Sequence, residues 1–292
     1  MPRTAKTDQL ASVAKLKQTY TEPVATNIRQ GGWHMELSKT HVEMAFADYV
    51  RHYDASDPKI ALKIVHTRRV AHLCDEIATS LGLSSNLVDL AWTCGMLHDI
   101  GRFEQIARFH TFADGRSIDH ALLGAQVLID EGAIRSFLDD ASLYPTIAEV
   151  VRQHNRLAID KTLDAQTTLM CKIVRDADKI DILRVNCESP VSDIYDFDEA
   201  TLAASPLSSA VVDSFARHIT LDRTLRRYPA DYLVGHVSFA FGLEFDASVR
   251  ILDSQGYIYR MFNREFSDED TRRQFHDMET DLRAWIDQRL ER

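Results

Sequence analysis

The feature that most constrains this chain is the spacing of its apolar residues. They recur every three or four positions from about residue 38 onward, and no run alternates apolar and polar residues long enough to demand a sheet. Glycine is scarce at 11 of 292 residues, so turn-rich β architectures are disfavoured. The expected fold class is therefore all-α. With 45% hydrophobic residues the chain can bury a sizeable core, and its length suits one large domain or a core with an appended unit.

The periodicity predicts a series of helices. Residues 1–35 are largely polar and include Gln30-Gly31-Gly32, which reads as a tail or a loosely packed helix, and a helix follows over 38–54. Asp57-Pro58 marks the start of the next, ALKIVHTRRVAHLCDEIATSLG, which stops at Gly82. The segment 85–100 is apolar on most sides and belongs in the core, with Gly101 as its terminator. Further helices are expected over 118–131, from Pro145 through TIAEVVRQHNR, over 167–186 and, charged and amphipathic, over 268–291. Pro190 and the acidic, serine-containing stretch 188–209 mark a boundary. The expected organisation is an N-terminal tail and helix (1–55), a core (56–187), and a C-terminal helical region (188–292) packed on it or covering its cleft.

Lys and Arg number 34 against 44 Asp and Glu, a formal net charge of −10. Such a surface lacks the attraction that drives sequence-independent binding to nucleic acid polymers or anionic membranes, though a local arginine cluster could still take a small anion. Cys74, Cys94, Cys171 and Cys187 are far apart and read as buried thiols. The N-terminus has no secretory apolar core and no run approaches the roughly 18 apolar residues of a membrane span, so the expected location is cytoplasmic.

Chemistry concentrates in a few of the 12 histidines. His34, His41, His52, His72, His110, His218, His236 and His276 read as surface or hydrogen-bonded core residues. His98-Asp99, in GMLHDIGR, is different because it ends an apolar helix. A buried carboxylate without a partner costs several kcal/mol, so it calls for a cation or a strong donor. A His–Asp hydrogen bond capping the helix would also satisfy it. Asp178, in RDADKIDIL, sits at the edge of the stripe formed with Val174 and Ile182, while Asp176, Lys179 and Asp181 could simply be solvated charges.

The order His66, His98-Asp99, Asp178, with HDIGR and RDADKID as contexts, resembles the HD superfamily of metal-dependent phosphohydrolases over about residues 59–185. The resemblance implies an all-α HD-domain bundle with additional N- and C-terminal helices. It makes His66, His98, Asp99 and Asp178 ligands of a divalent cation. His120 and His154 fall between the HD pair and the last aspartate, as in the six-ligand subset with two metals bridged by Asp99. Mixed imidazole and carboxylate ligands suit iron, manganese, cobalt or zinc.

The implied reaction is hydrolysis of a phosphoester in a small phosphorylated metabolite, first a nucleotide or dinucleotide, by a metal-bound hydroxide. Asp99 and Arg102 are the catalytic candidates, and Arg69, Arg102, Arg156 and Lys179 the substrate-binding ones, as positive charges for the phosphoryl oxygens. The loop Glu104–Arg116 should border the site. Some similar six-ligand proteins are di-iron oxygenases that cleave C–C or C–P bonds, which is the competing reading, and a non-catalytic nucleotide-binding module is a third. The chain lacks the GYP extension of one cyclic-dinucleotide phosphodiesterase branch. The sequence is compatible with a homo-oligomer.

Overall fold

The computed structural model describes residues 37–291, and the reading of 1–35 as a tail lies outside them. Among the described residues there is no strand, and the architecture is a helical bundle, as the apolar spacing predicts. Helix α1, Lys39–Val50, begins at Ser38, whose hydroxyl accepts the His41 N–H, and it stops short of the expected residue 54. Helix α2, Pro58–Ser80, is capped by Asp57 and has proline in its first turn, where the missing N–H costs nothing. It ends against Gly82, which takes a left-handed φ of 68°.

Helix α3, Ser85–Leu97, is the apolar axis of the bundle: every residue from Leu90 to Leu97 is buried. It lies along α2 so closely that a Cβ on Gly95 would stand 2.8 Å from Ala71 Cα and 2.9 Å from Cys74 Sγ. The expected single helix 85–100 is in fact two. The chain leaves helical geometry at Asp99 (φ −105°, ψ 17°) and resumes as α4, Ile100–Phe109. Gly101 is therefore inside a helix rather than a terminator. A Cβ there would collide with the His120 carbonyl oxygen and stand 2.8 Å from Gly124 Cα, so its absence is what lets α4 meet the next helix.

That helix, α5, His120–Ala125, is shorter than the expected 118–131 and continues as a π turn over Gln126–Asp130. Asp119 caps it by accepting the Ala121 and Leu122 N–H groups. Helix α6, Tyr144–Gln153, starts around Pro145, and α7, Ala165–Glu188, is capped by Asp164 on the Thr167 N–H. Helix α7 packs on α2, α3 and α6, and α5 bridges α4 and α6.

The later elements include α8, Pro229–Val237; α9, Asp246–Gln255; α10, Tyr257–Phe262; and α11, Glu269–Leu290. Helices α8, α9 and α10 pack on α7, and α11 packs on α9 and α10. One tie is specific. The fully buried Asp176 carboxylate accepts the N–H groups of Glu244 and Phe245, fixing the entry to α9. Cys74, Cys94 and Cys171 are buried free thiols, and Cys187 is half-buried and free. No described helix is long and apolar enough to cross a membrane.

Candidate metal centre

The break between α3 and α4 turns His98 and Asp99 inward, where α2 supplies His66, α5 His120, the end of α6 His154, and α7 Asp178. All six meet. His66, His98, Asp99, His120 and His154 are buried at 6% exposure or less, whereas the Asp178 side chain is 16% exposed, so the cluster opens on the Asp178 side.

The Asp99 carboxylate sits between two groups. Its Oδ2 is 3.6 Å from His66 Nε2 and 3.5 Å from His98 Nε2, and Asp178 Oδ1 lies 3.1 and 3.7 Å from the same two nitrogens. Its Oδ1 is 3.5 Å from His120 Nε2 and 3.6 Å from His154 Nε2. His66, His98 and Asp99 can converge on one ion, and so can Asp99, His120 and His154.

Each of the four imidazoles is held by its other nitrogen. His98 Nδ1 donates to the Gly95 carbonyl and His154 Nδ1 to the Val151 carbonyl, both at 2.7 Å. Since a carbonyl only accepts, those Nδ1 atoms carry the protons and the Nε2 lone pairs face the centre when the rings are neutral. His66 Nδ1 meets Asp181 Oδ2 at 2.7 Å, and His120 Nδ1 meets Asp114 Oδ2 at 2.8 Å. Nε2 of His66 and of His98 is buried without a hydrogen-bond partner, and Nε2 of His120 and of His154 approach to 2.9 Å. Two bare lone pairs at that distance repel unless a cation or a shared proton stands between them. The donor set therefore fits divalent metal, with carboxylates and carbonyls orienting the histidines from behind.

The electrostatics agree. Burial alone would raise the Asp99 carboxyl, but Lys63 and the surrounding histidines hold it well below the usual range. Burial opposes ionisation of Asp178 too, and the neighbouring His66 and His98 nevertheless hold it well below the usual carboxylate range. Burial, then the Arg102 charge, pushes His120 down to about 4. Burial and Lys63 would lower His66, but Asp178 and Asp181 hold it above its ordinary value.

The basic residues expected to bind substrate are differently engaged. Arg102 Nη1 donates to Gln105 Oε1, the Phe112 carbonyl and Asp114 Oδ1, while its buried Nε stays unpartnered 3.7 Å from Asp99 Oδ1. Arg102 thus also supports Asp114, which orients His120, and the loop after Glu104 does border the site. Arg69 Nε donates to Asp181 Oδ1, Lys179 Nζ to the Gly242 carbonyl, and the exposed Arg156 lies 3.8 Å from Asp119.

Three participants escape the sequence reading. Lys63 Nζ stands 2.6 Å from Asp99 Oδ2 and over the Phe112 ring. Its place one turn before His66 was the available signal. Asp181, fully buried and paired with His66, Arg69 and Arg184, lies one turn after Asp178. It is no solvated charge, and neither is Asp176. Asp114 gave no local signal at all.

Residues 64–183 match the family model of the HD domain, a span that holds all six central residues. No curated protein and no solved structure matches the chain. Over residues 64–183 the chain thus matches an HD domain, and within that span His66, His98 and Asp99 form one cluster able to hold a metal ion and Asp99, His120 and His154 another.

Proposed function

We propose that the protein hydrolyses a phosphoester in a small phosphorylated metabolite, first a nucleotide or dinucleotide, at a pair of divalent transition-metal ions. The observation that carries this reading is the Asp99 carboxylate between two histidine pairs, with its two oxygens turned to different pairs. In this reading His66, His98, Asp99 and Asp178 would hold one ion, and Asp99, His120 and His154 the other. Iron, manganese, cobalt and zinc suit such ligands.

Bound there, the two cations would polarise a phosphoryl oxygen and lower the pKa of a water. The chain's own residues supply the rest. Asp181, Asp114 and the Gly95 and Val151 carbonyls keep four imidazoles oriented. Lys63 and Arg102 Nε put positive charge beside Asp99, where a phosphoryl group gathers negative charge. The burial of the cluster limits access to a small ligand entering beside Asp178.

The test is phosphoester hydrolysis, read as free phosphate from nucleotides and sugar phosphates and as monoester product from dinucleotides and cyclic nucleotides, by anaerobically purified protein loaded with manganese or iron. Hydrolysis by the wild type and none by Asp99→Ala is the expected result. Two bound irons, no hydrolysis and oxygen uptake on adding substrate would replace the hydrolase by the competing oxygenase.

A further inference from the structure

Half-buried Arg226 stands apart from four other arginines that are buried or half-buried among the described residues. Arg102, Arg175, Arg184 and Arg264 each donate to carboxylates or carbonyls. Arg226 makes no side-chain hydrogen bond and no ion pair among the described residues, and its Nε is buried without a partner. Its neighbours do not neutralise it. The guanidinium lies flat against Gly235, where a Cβ would stand 2.7 Å from Nε, and its Cζ is 5.2 Å from the Tyr232 ring. The nearby Asp231 carboxylate is already committed to the N–H groups of Ser208, Arg227 and Tyr228 and to the Ser208 hydroxyl.

The surroundings are polar and tied to the metal-bearing helix. The Tyr195 hydroxyl is 2.5 Å from Oδ1 of Asn186, which lies on α7 two turns after Asp178, and 2.8 Å from His236 Nδ1 on α8. The same segment reaches the metal centre on another side, where Arg223 Nη2 donates 3.2 Å to the carbonyl of Asn155, next to His154. Burial and Arg226 lower His236 to about 3, and Asp178 is near enough to oppose them. Residues 195–236 thus touch both the metal-bearing α7, beyond Asp178, and the chain just after His154.

A guanidinium with five donors and no acceptor carries a desolvation cost that an oxyanion would relieve in bidentate fashion. We infer that Arg226, framed by Tyr195, Tyr232 and Gly235, is an oxyanion-recognition site that takes a second anionic group of the substrate, away from the group held at the metals. This deepens the hydrolase reading and rests on it for the word substrate. It favours metabolites with two separated phosphates, or a phosphate and a carboxylate, over simple monoesters.

The test uses the full-length chain, stripped of metal with chelator and, in parallel, loaded with manganese, and follows Tm as inorganic phosphate is added. In the stripped series phosphate should raise the Tm of the wild type by several degrees and leave Arg226→Met unmoved, because a ligand stabilises only the form that binds it. Arg226→Lys keeps the charge without the planar fork and should show a reduced shift. Without phosphate, Arg226→Met should be at least as stable as the wild type, since it removes an unpaired half-buried charge; a purely structural arginine would lower Tm when lost. Acetate in a third series tells whether a carboxylate serves as well as a phosphate. A phosphate shift that survives in Arg226→Met, or none in the wild type, overturns the inference. Failure of the loaded protein to hydrolyse any phosphoester, with the Arg226-dependent shift intact, would instead remove the hydrolase reading and leave the anion site standing.

Discussion

At the scale of single residues, the centre is organised by what stands behind each imidazole. His66 depends on Asp181, a fully buried carboxylate shared with Arg69 and Arg184. Replacing Asp181 by Asn puts an amide against the His66 N–H and leaves two guanidinium groups short of charge. Metal affinity should fall about 10- to 100-fold, as loss of an orienting partner does elsewhere, measurable by competition with a chelating dye. Protonation gives a second expectation. His120 and His236 are held down to about 4 and about 3, first by burial and then by the nearby arginines. An unfolded chain takes up protons at both near pH 6.5 and the folded chain does not. The metal-free protein should therefore lose stability as pH falls from about 6.5 toward 4, by up to about 1.4 kcal/mol per pH unit for each group. His66, raised when folded, works the other way and offsets part of the loss. Urea midpoints at pH 7 and pH 5 check the sign, with the lower midpoint expected at pH 5.

At the scale of elements, the decisive event is the interruption between α3 and α4. An unbroken helix over 85–109 would carry Asp99 away from the meeting point of α2, α5, α6 and α7. Periodicity could not reveal the break, because residues on both sides are apolar and helical. The α4–α5 contact then depends on Gly101, whose missing Cβ makes room for the His120 backbone. Gly101→Ala should destabilise the protein by about 1–3 kcal/mol through overpacking, and should weaken metal binding as well because the displaced backbone carries His120. A lowered Tm together with a lowered metal content after purification is the expected pair of results. A lowered Tm with full metal content would show that α5 tolerates the shift.

At the scale of the whole molecule, the C-terminal elements complete the bundle around α7. Ile180 and Leu183 are buried, α8, α9 and α10 pack on their helix, and Asp176 accepts two N–H groups at the start of α9. A chain cut after Glu188 would expose that surface and strip Asp176 of the two N–H donors it accepts. It should lose cooperative unfolding and bind a hydrophobic dye while keeping much of its helical circular dichroism. A sharp, reversible melt of the truncated chain would instead make the C-terminal region an independent cover.

The sequence by itself determined the helical class and most helix starts, because apolar spacing and the caps Asp57, Asp164 and Asp268 act within one or two turns. It also marked the six central residues, since their order along the chain carries the resemblance to the HD superfamily. Only the tertiary structure decided what holds them. Lys63 and Asp181 meet a carboxylate and a histidine from other parts of the chain, and no local pattern records a contact made across 36 or 115 residues. It also decided which cations stay free. Arg69 and Lys179 look equally available in sequence and are engaged in the fold, whereas Arg226 has no acceptor among the described residues, because which charges meet is fixed by how the helices pack.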